Sequence, residues 1–318
     1  MPSAGNRLSA GAQVTRRGLL LFASMCLVWG IPYLFIRIAV SELSPATLVF
    51  LRTGLAALVL LPIALKRGVN LRSLSSRWPW LLAFAAIEIA IPWLFLSSAE
   101  QQISSSLTGL LISTVPLVAT VVAVVLGQRD RISPTLLAGL AIGLFGVAAI
   151  VGSDLRATGF LPLAQLALVV VGYALGPVIL ARHLSDLPPV SVIAVSLGLC
   201  ALAYAPFAAA QWPRSIPAAG VLSSVAALAL VCTAVAFLLF FALIAEIGPV
   251  RATVITYINP AVAALLGVVV LGETFTLGMG AGFVLVVLGA ALATTRTTPL
   301  GWFRFAARGK ASESTGPP

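Results

Sequence analysis

The sequence predicts an all-α integral membrane protein, with ten transmembrane helices arranged as two inverted five-helix repeats. Three observations carry this expectation. Of 318 residues, 60% are hydrophobic and only 9% charged, whereas a soluble domain carries about 25% charged residues. Apolar stretches of about 20 residues recur along the chain, each long enough to cross a hydrocarbon layer of about 30 Å. The second half also repeats the first at a fixed offset of 144 positions, as from Pro45 to Pro189.

The spans are read in order as 18–40, 45–65, 79–98, 103–126, 133–151, 159–182, 188–209, 217–244, 249–271 and 277–295. The first follows a basic segment, residues 1–17. That pairing resembles a signal peptide, but a run of about 23 apolar residues without a clear small-residue cleavage site favours an uncleaved first helix. This span carries Trp29, and Arg37 close enough to its end to snorkel to the headgroups. Span two carries Arg52, span three Glu88, and span four Ser113, Thr114 and Pro116. Span five has a glycine face of Gly139, Gly143 and Gly146, and span ten a matching face of Gly278, Gly282 and Gly289. Such faces suit close helix contact, within one chain or in a homodimer. Span six carries Tyr173, and span nine carries Tyr257, Asn259 and Pro260. Cys26, Cys200 and Cys232 fall inside spans and read as small buried residues. Trp78, Trp80 and Trp212 sit at span ends, where an aromatic belt explains them. The stretch GWFRFAARGK suits the headgroup layer, and the final ASESTGPP reads as disordered.

The repeat is read from several matches. SELSP at Ser41–Pro45 returns as SDLPP at Ser185–Pro189, GLAAL at Gly54 as GLCAL at Gly198, and Pro62 and Pro116 return as Pro206 and Pro260. Residues 18–151 form the first repeat and 159–295 the second, with a basic tail at 296–318. Five helices per repeat is an odd number, so the second copy crosses the membrane in the opposite sense. In such folds substrate sits near the midplane, at interrupted helices between the halves. Pro116 and Pro260 are therefore expected to break helices four and nine beside a shared cavity. A kink whose freed carbonyl is taken by Ser or Thr is the alternative.

Charge placement sets the topology. With the N-terminus in the cytoplasm, fifteen Lys and Arg fall on that side and only Arg156 and Arg214 on the other. Both termini are then cytoplasmic, and the net charge of +10 is a topology signal rather than a nucleic-acid footprint. The expected location is the inner, cytoplasmic cell membrane, with lipid as the surrounding partner.

Apart from Arg182 and Arg251 at cytoplasmic span ends, three charged side chains fall within the spans: Arg37, Arg52 and Glu88. Each costs about 2.5–3.5 kcal/mol at a helix centre on insertion scales. Arg52 and Glu88 lie about one helical turn apart in depth on neighbouring helices, so they are expected to face the interior, where they can pair. A static ion pair and a proton-exchanging carboxyl beside a substrate-binding arginine both remain open. Arg52 maps to Ser196 and Glu88 to Cys232, so the charges belong to one half only. Trp29, Tyr173, Tyr257, Asn259 and Thr114 complete the candidate pathway.

The stretch from Ala227 to Leu292, together with WGIPYLFIRIAV and SPATLVFLRTGLAAL, resembles EamA-type transporters of the drug/metabolite transporter (DMT) superfamily. The likeness covers about residues 18–295. It implies two EamA repeats around a central cavity, alternating access, and a small-molecule cargo such as an amino acid, metabolite or drug, often exported. Protons are the candidate coupling ion, through Glu88; a facilitator driven by the substrate gradient is the alternative. One departure is visible: the acid of LGE, Glu273, stands where the first repeat has LGQ with Gln128.

Other classes fit less well. No phosphate loop is present for ATP-driven transport. The single histidine, His183, builds no metal site or triad, so neither an enzyme nor a cofactor is expected. A channel would show a charged ring or filter segment, and neither is visible.

Overall fold

The computed structural model describes residues 15–66, 71–126, 133–152 and 159–294. The basic segment before residue 15, Gln128 and the tail from residue 295 lie outside the described residues. Within them the chain is all helix, turn and loop.

The first span is two helices, α1 (Arg16–Val28) and α2 (Pro32–Ala39). Thr15 opens α1 by accepting the Gly18 N–H at 2.9 Å, one of the donors a helix start leaves unpaired. Pro32 cannot donate to Val28, so the helix breaks at Trp29–Ile31. After α3 (Pro45–Lys66) and the short α4 (Leu71–Ser76), the third span runs as α5 (Trp78–Phe84), a π-helical stretch at Ala85–Ala90, and α6 (Ile91–Ala99). Ile91 N–H reaches back to the Ala86 carbonyl, and Pro92 has no N–H to continue the ladder. The fourth span is α7 (Ser105–Ile112) and α8 (Val115–Val125). It is followed by α9 (Pro134–Gly152), α10 (Phe160–His183) and α11 (Pro189–Ala210). The eighth span repeats the pattern of the third: α12 (Ala219–Ala226), a π-helical stretch at Ala227–Val235, and α13 (Ala236–Ile247). The short α14 (Pro249–Ala252), then α15 (Ile255–Leu271) and α16 (Leu277–Thr294), complete the fold.

Eight of these units are long and apolar enough to cross a membrane, while Ile255–Leu271 and Leu277–Ala293 are apolar but shorter. The multi-pass expectation holds, and the ten-span reading divides into eight full-length spans and two shorter helices. Exposed Leu58, Leu202, Phe145 and Val269 cover the outside, as a hydrocarbon-facing surface requires.

The expected helix breaks are met unequally. Helix four breaks at Ser113–Thr114, directly ahead of Pro116 at the start of α8. The Thr114 hydroxyl donates to the Leu111 carbonyl at 2.7 Å, and Ser113 does the same for Leu110. Helix nine, however, runs through Pro260 without interruption. Its break lies at Thr253–Val254, where the tight turns Val254 N to Arg251 O and Tyr257 N to Val254 O absorb the strain upstream. Hydroxyl groups thus take carbonyls at both bends, Leu110 and Leu111 in helix four and, through Thr256, Thr253 in helix nine. A Cβ on Gly109 would sit 2.6 Å from that of Ala263, so helices four and nine lie in close contact there.

Packing between the halves is reciprocal. The first span lies against the eighth as the sixth lies against the third, and two pairs with seven, four with nine and five with ten. Each contact thus has its mate under the repeat. The α9–α16 contact consumes the glycine faces: a Cβ on Gly139 would meet Ala293 N at 2.6 Å, and one on Gly146 the Gly282 carbonyl at 2.7 Å. Gly139, Gly143 and Gly146 are buried inside the chain, so they are not a surface for a second copy.

Candidate functional site

Arg52 is buried on α3 at the junction of the halves. Its Nε donates to the Thr233 hydroxyl at 3.0 Å, and Thr233 in turn donates to the Leu228 carbonyl at 2.7 Å, inside the second π stretch. The guanidinium carbon stands 3.6 Å over the Trp93 ring, a close cation–π contact. Arg52 is therefore clamped by one residue from each half. Its terminal nitrogens have no protein acceptor among the described residues. Tyr173 on α10 lies beside the Trp93 indole and within electrostatic reach of Arg52, and Tyr33 on α2 is a further electrostatic neighbour of Arg52.

The expected Arg52–Glu88 pair is not formed. The first π stretch packs on α10 and α11, and it carries Glu88 against Gly176, where a Cβ would collide with the carboxylate. Glu88 Oε2 is buried without a partner. Depth along two helices matched, but the wider π turn changes the face on which residue 88 emerges. Side chains from α11 meet this stretch instead, with Tyr204 donating to the Ala90 carbonyl at 3.0 Å and Cys200 to Ala85.

Trp29, Asn259, Tyr257 and Thr114 do not join Arg52. Trp29 packs with Phe237 and Phe240, at ring separations of 5.9 and 4.7 Å. With its amide oriented to suit its surroundings, Asn259 donates to the Ile255 carbonyl at 3.0 Å and to Cys26 at 3.1 Å, joining the first span to the ninth. Tyr257 packs on the larger apolar core, and the Thr114 hydroxyl is spent on its own chain.

A second polar group lies at the end of the bundle that carries the 100–104 and 272–276 loops. Glu273 lays its carboxylate on the start of α7, accepting from the N–H groups of Ser105 and Ser106 at 2.8 and 2.9 Å. Both serine hydroxyls also donate to it. A helix N-terminus suits an anion, and Gly267 leaves the carboxylate room that a Cβ would fill. Arg37 donates to the main-chain oxygen of Glu100. The Glu100 side chain is fully buried, and neither of its oxygens has a partner. Burial pushes this carboxyl well above its ordinary range; Glu273 adds to that, while Arg37 and Arg52 oppose it. An open pocket of about 440 Å³ adjoins this group, lined by Arg37, Ser41, Gln102, Ser104 and Glu273 among others. Tyr33, Trp93, Thr233 and Glu100 were not singled out by the sequence. Glu100 sits two residues past the apolar run of 79–98 and reads as loop, so nothing local in the sequence reveals its burial. Among the described residues, no cluster of His, Cys, Asp or Glu is placed to hold a metal ion.

Comparison with known proteins agrees with this architecture. The sequence pattern of the EamA-like transporter family matches residues 16–152 and 161–295. An Escherichia coli K12 protein described as the uncharacterized inner membrane transporter YedA is 29% identical over 266 residues, 80% of this chain and 83% of that one. An uncharacterized transporter of Archaeoglobus fulgidus is 26% identical, over 82% and 92% of the two chains. An uncharacterized transporter of Bacillus subtilis, YvbV, is 24% identical, over 88% and 92%. One crystal structure, whose protein is not named, superimposes with a TM-score of 0.64 at 23% identity. It covers 89% of this chain and 97% of that chain, a likeness of fold.

Proposed function

The chain belongs to the EamA-like transporter family, and on that premise we propose that it is a secondary transporter exporting a small organic molecule across the cytoplasmic membrane by alternating access. In this reading ten helices cross the bilayer as two inverted repeats, both termini are cytoplasmic, and the reciprocal packing of the halves supplies the pivot. Arg52 is the observation that carries the proposal. A buried guanidinium without a counter-ion is costly, and here Thr233 and Trp93 hold it in place while its terminal nitrogens lack acceptors. A substrate anion, most simply a carboxylate, fills that role, with Tyr33, Trp93 and Tyr173 receiving its apolar body. Because the clamp draws on both halves, rocking one half against the other must loosen it. Binding at Arg52 is thereby linked to the change of access.

The test is flux in proteoliposomes, using a panel of amino acids, monocarboxylates and neutral drugs. Anionic or zwitterionic members are expected to move. Arg52→Lys keeps the charge but loses the stacked fork, and it should raise KM about tenfold, in line with the loss of a charged hydrogen bond worth about 1.5–3 kcal/mol. Arg52→Gln should abolish flux. A panel in which only neutral compounds move, equally well in Arg52→Gln, overturns the assignment of this residue.

A further inference from the structure

Glu100 lies within electrostatic reach of two sets of groups: Arg37 and Glu273, which line the pocket, and Arg52, Tyr33 and Tyr173 around the buried guanidinium. Its side chain is fully buried and both oxygens are without partners. An ionised carboxylate left so would forfeit its hydration with nothing in return, although Arg37 is close enough to donate to the main-chain oxygen of the same residue. A neutral, proton-bearing acid removes that contradiction. A metal ion does not: two arginines flank the site, and Glu273 already has its oxygens filled by serine donors.

We propose that Glu100 is a proton-binding site reached from the pocket, and that proton release turns Arg37 from the Glu100 main-chain oxygen onto the Glu100 carboxylate. The proton passes to pocket water, and the new negative charge is met by the guanidinium already beside it. This swap draws α2 and the 100–104 loop into a different contact at the Glu273-bound end of α7. The inference rests on the transport reading and deepens it: the proton becomes the coupling ion, carried by Glu100 rather than by the candidate Glu88.

The experiment is an infrared pH titration of full-length protein in nanodiscs, following the C=O stretch of protonated carboxyls. Wild type should show a band that disappears as pH rises. Glu100→Gln, which copies the neutral acid in shape, should lose that band, and Glu88→Gln should keep it. Arg37→Gln should shift its midpoint to higher pH, since a cation that favours the charged form has gone. This second variant decides the matter if Glu100→Gln fails to fold. An intact titrating band in Glu100→Gln, or an unmoved midpoint in Arg37→Gln, overturns the proposal. No substrate is needed for these spectra, so the flux panel stands apart. Flux of anionic members with an unchanged band sinks the proton site alone, whereas band loss with movement of neutral compounds only, equal in Arg52→Gln, sinks the Arg52 reading alone.

Discussion

Asn259 joins two spans through two carbonyls, so its loss acts on folding first. Asn259→Leu is expected to lower the thermal unfolding midpoint of the purified protein, consistent with about 1–3 kcal/mol for leaving buried polar groups unpaired. Unchanged stability together with abolished flux would instead place Asn259 on the substrate path. Glu100 gives a pH dependence of definite sign. Its pKa in the folded state is raised above the ordinary value, so its contribution to stability is complete below the unfolded pKa and is lost as pH rises through the folded one. Glu100→Gln should flatten that decline in a melting series against pH. At this scale the sequence revealed which residues are polar within apolar runs, Arg52 and Glu88 among them. It did not reveal their partners, because depth along a helix is set by counting whereas the face presented depends on the π turn at Ala85–Ala90.

The carboxylate of Glu273 ties the loop between α15 and α16 to the start of α7, and Gly267 makes room for it. Gly267→Ala and Glu273→Gln should therefore each lower the melting midpoint, and the double variant should lose little beyond the worse single one. Such non-additivity is the mark of a shared contact; additive losses would mean that the two act separately. The contrast between Glu273 and Gln128 was visible in the sequence, but the serines that receive the acid were not, since nothing local links residues 105 and 273. The glycine faces were likewise legible as close-packing surfaces, although spacing alone could not say that they meet each other within one chain. Proline positions were the weakest guide. Pro116 and Pro260 are repeat mates, yet one follows a break and the other lies inside a helix, because Thr253–Val254 bends first.

Apolar length and repeat together made the all-helical, two-repeat layout readable, since each is a property of composition over many positions rather than of a single contact. Orientation in the membrane is testable at the same scale. A green fluorescent protein fused to the C-terminus is expected to fluoresce in cells, and alkaline phosphatase fused there to be inactive. The opposite pair of results would reverse the topology and move the pocket lined by Arg37 and Glu273 to the cytoplasmic side. The central arrangement was less legible, because the contact of Thr233 with Arg52 joins residues 181 positions apart. Finally, the two π stretches occupy corresponding places in the two halves, Ala85–Ala90 and Ala227–Val235. A π turn records one inserted residue in an α-helix. Two independent insertions at matching points are a less economical history than one. One irregularity present before the halves diverged accounts for both stretches more simply than two separate ones.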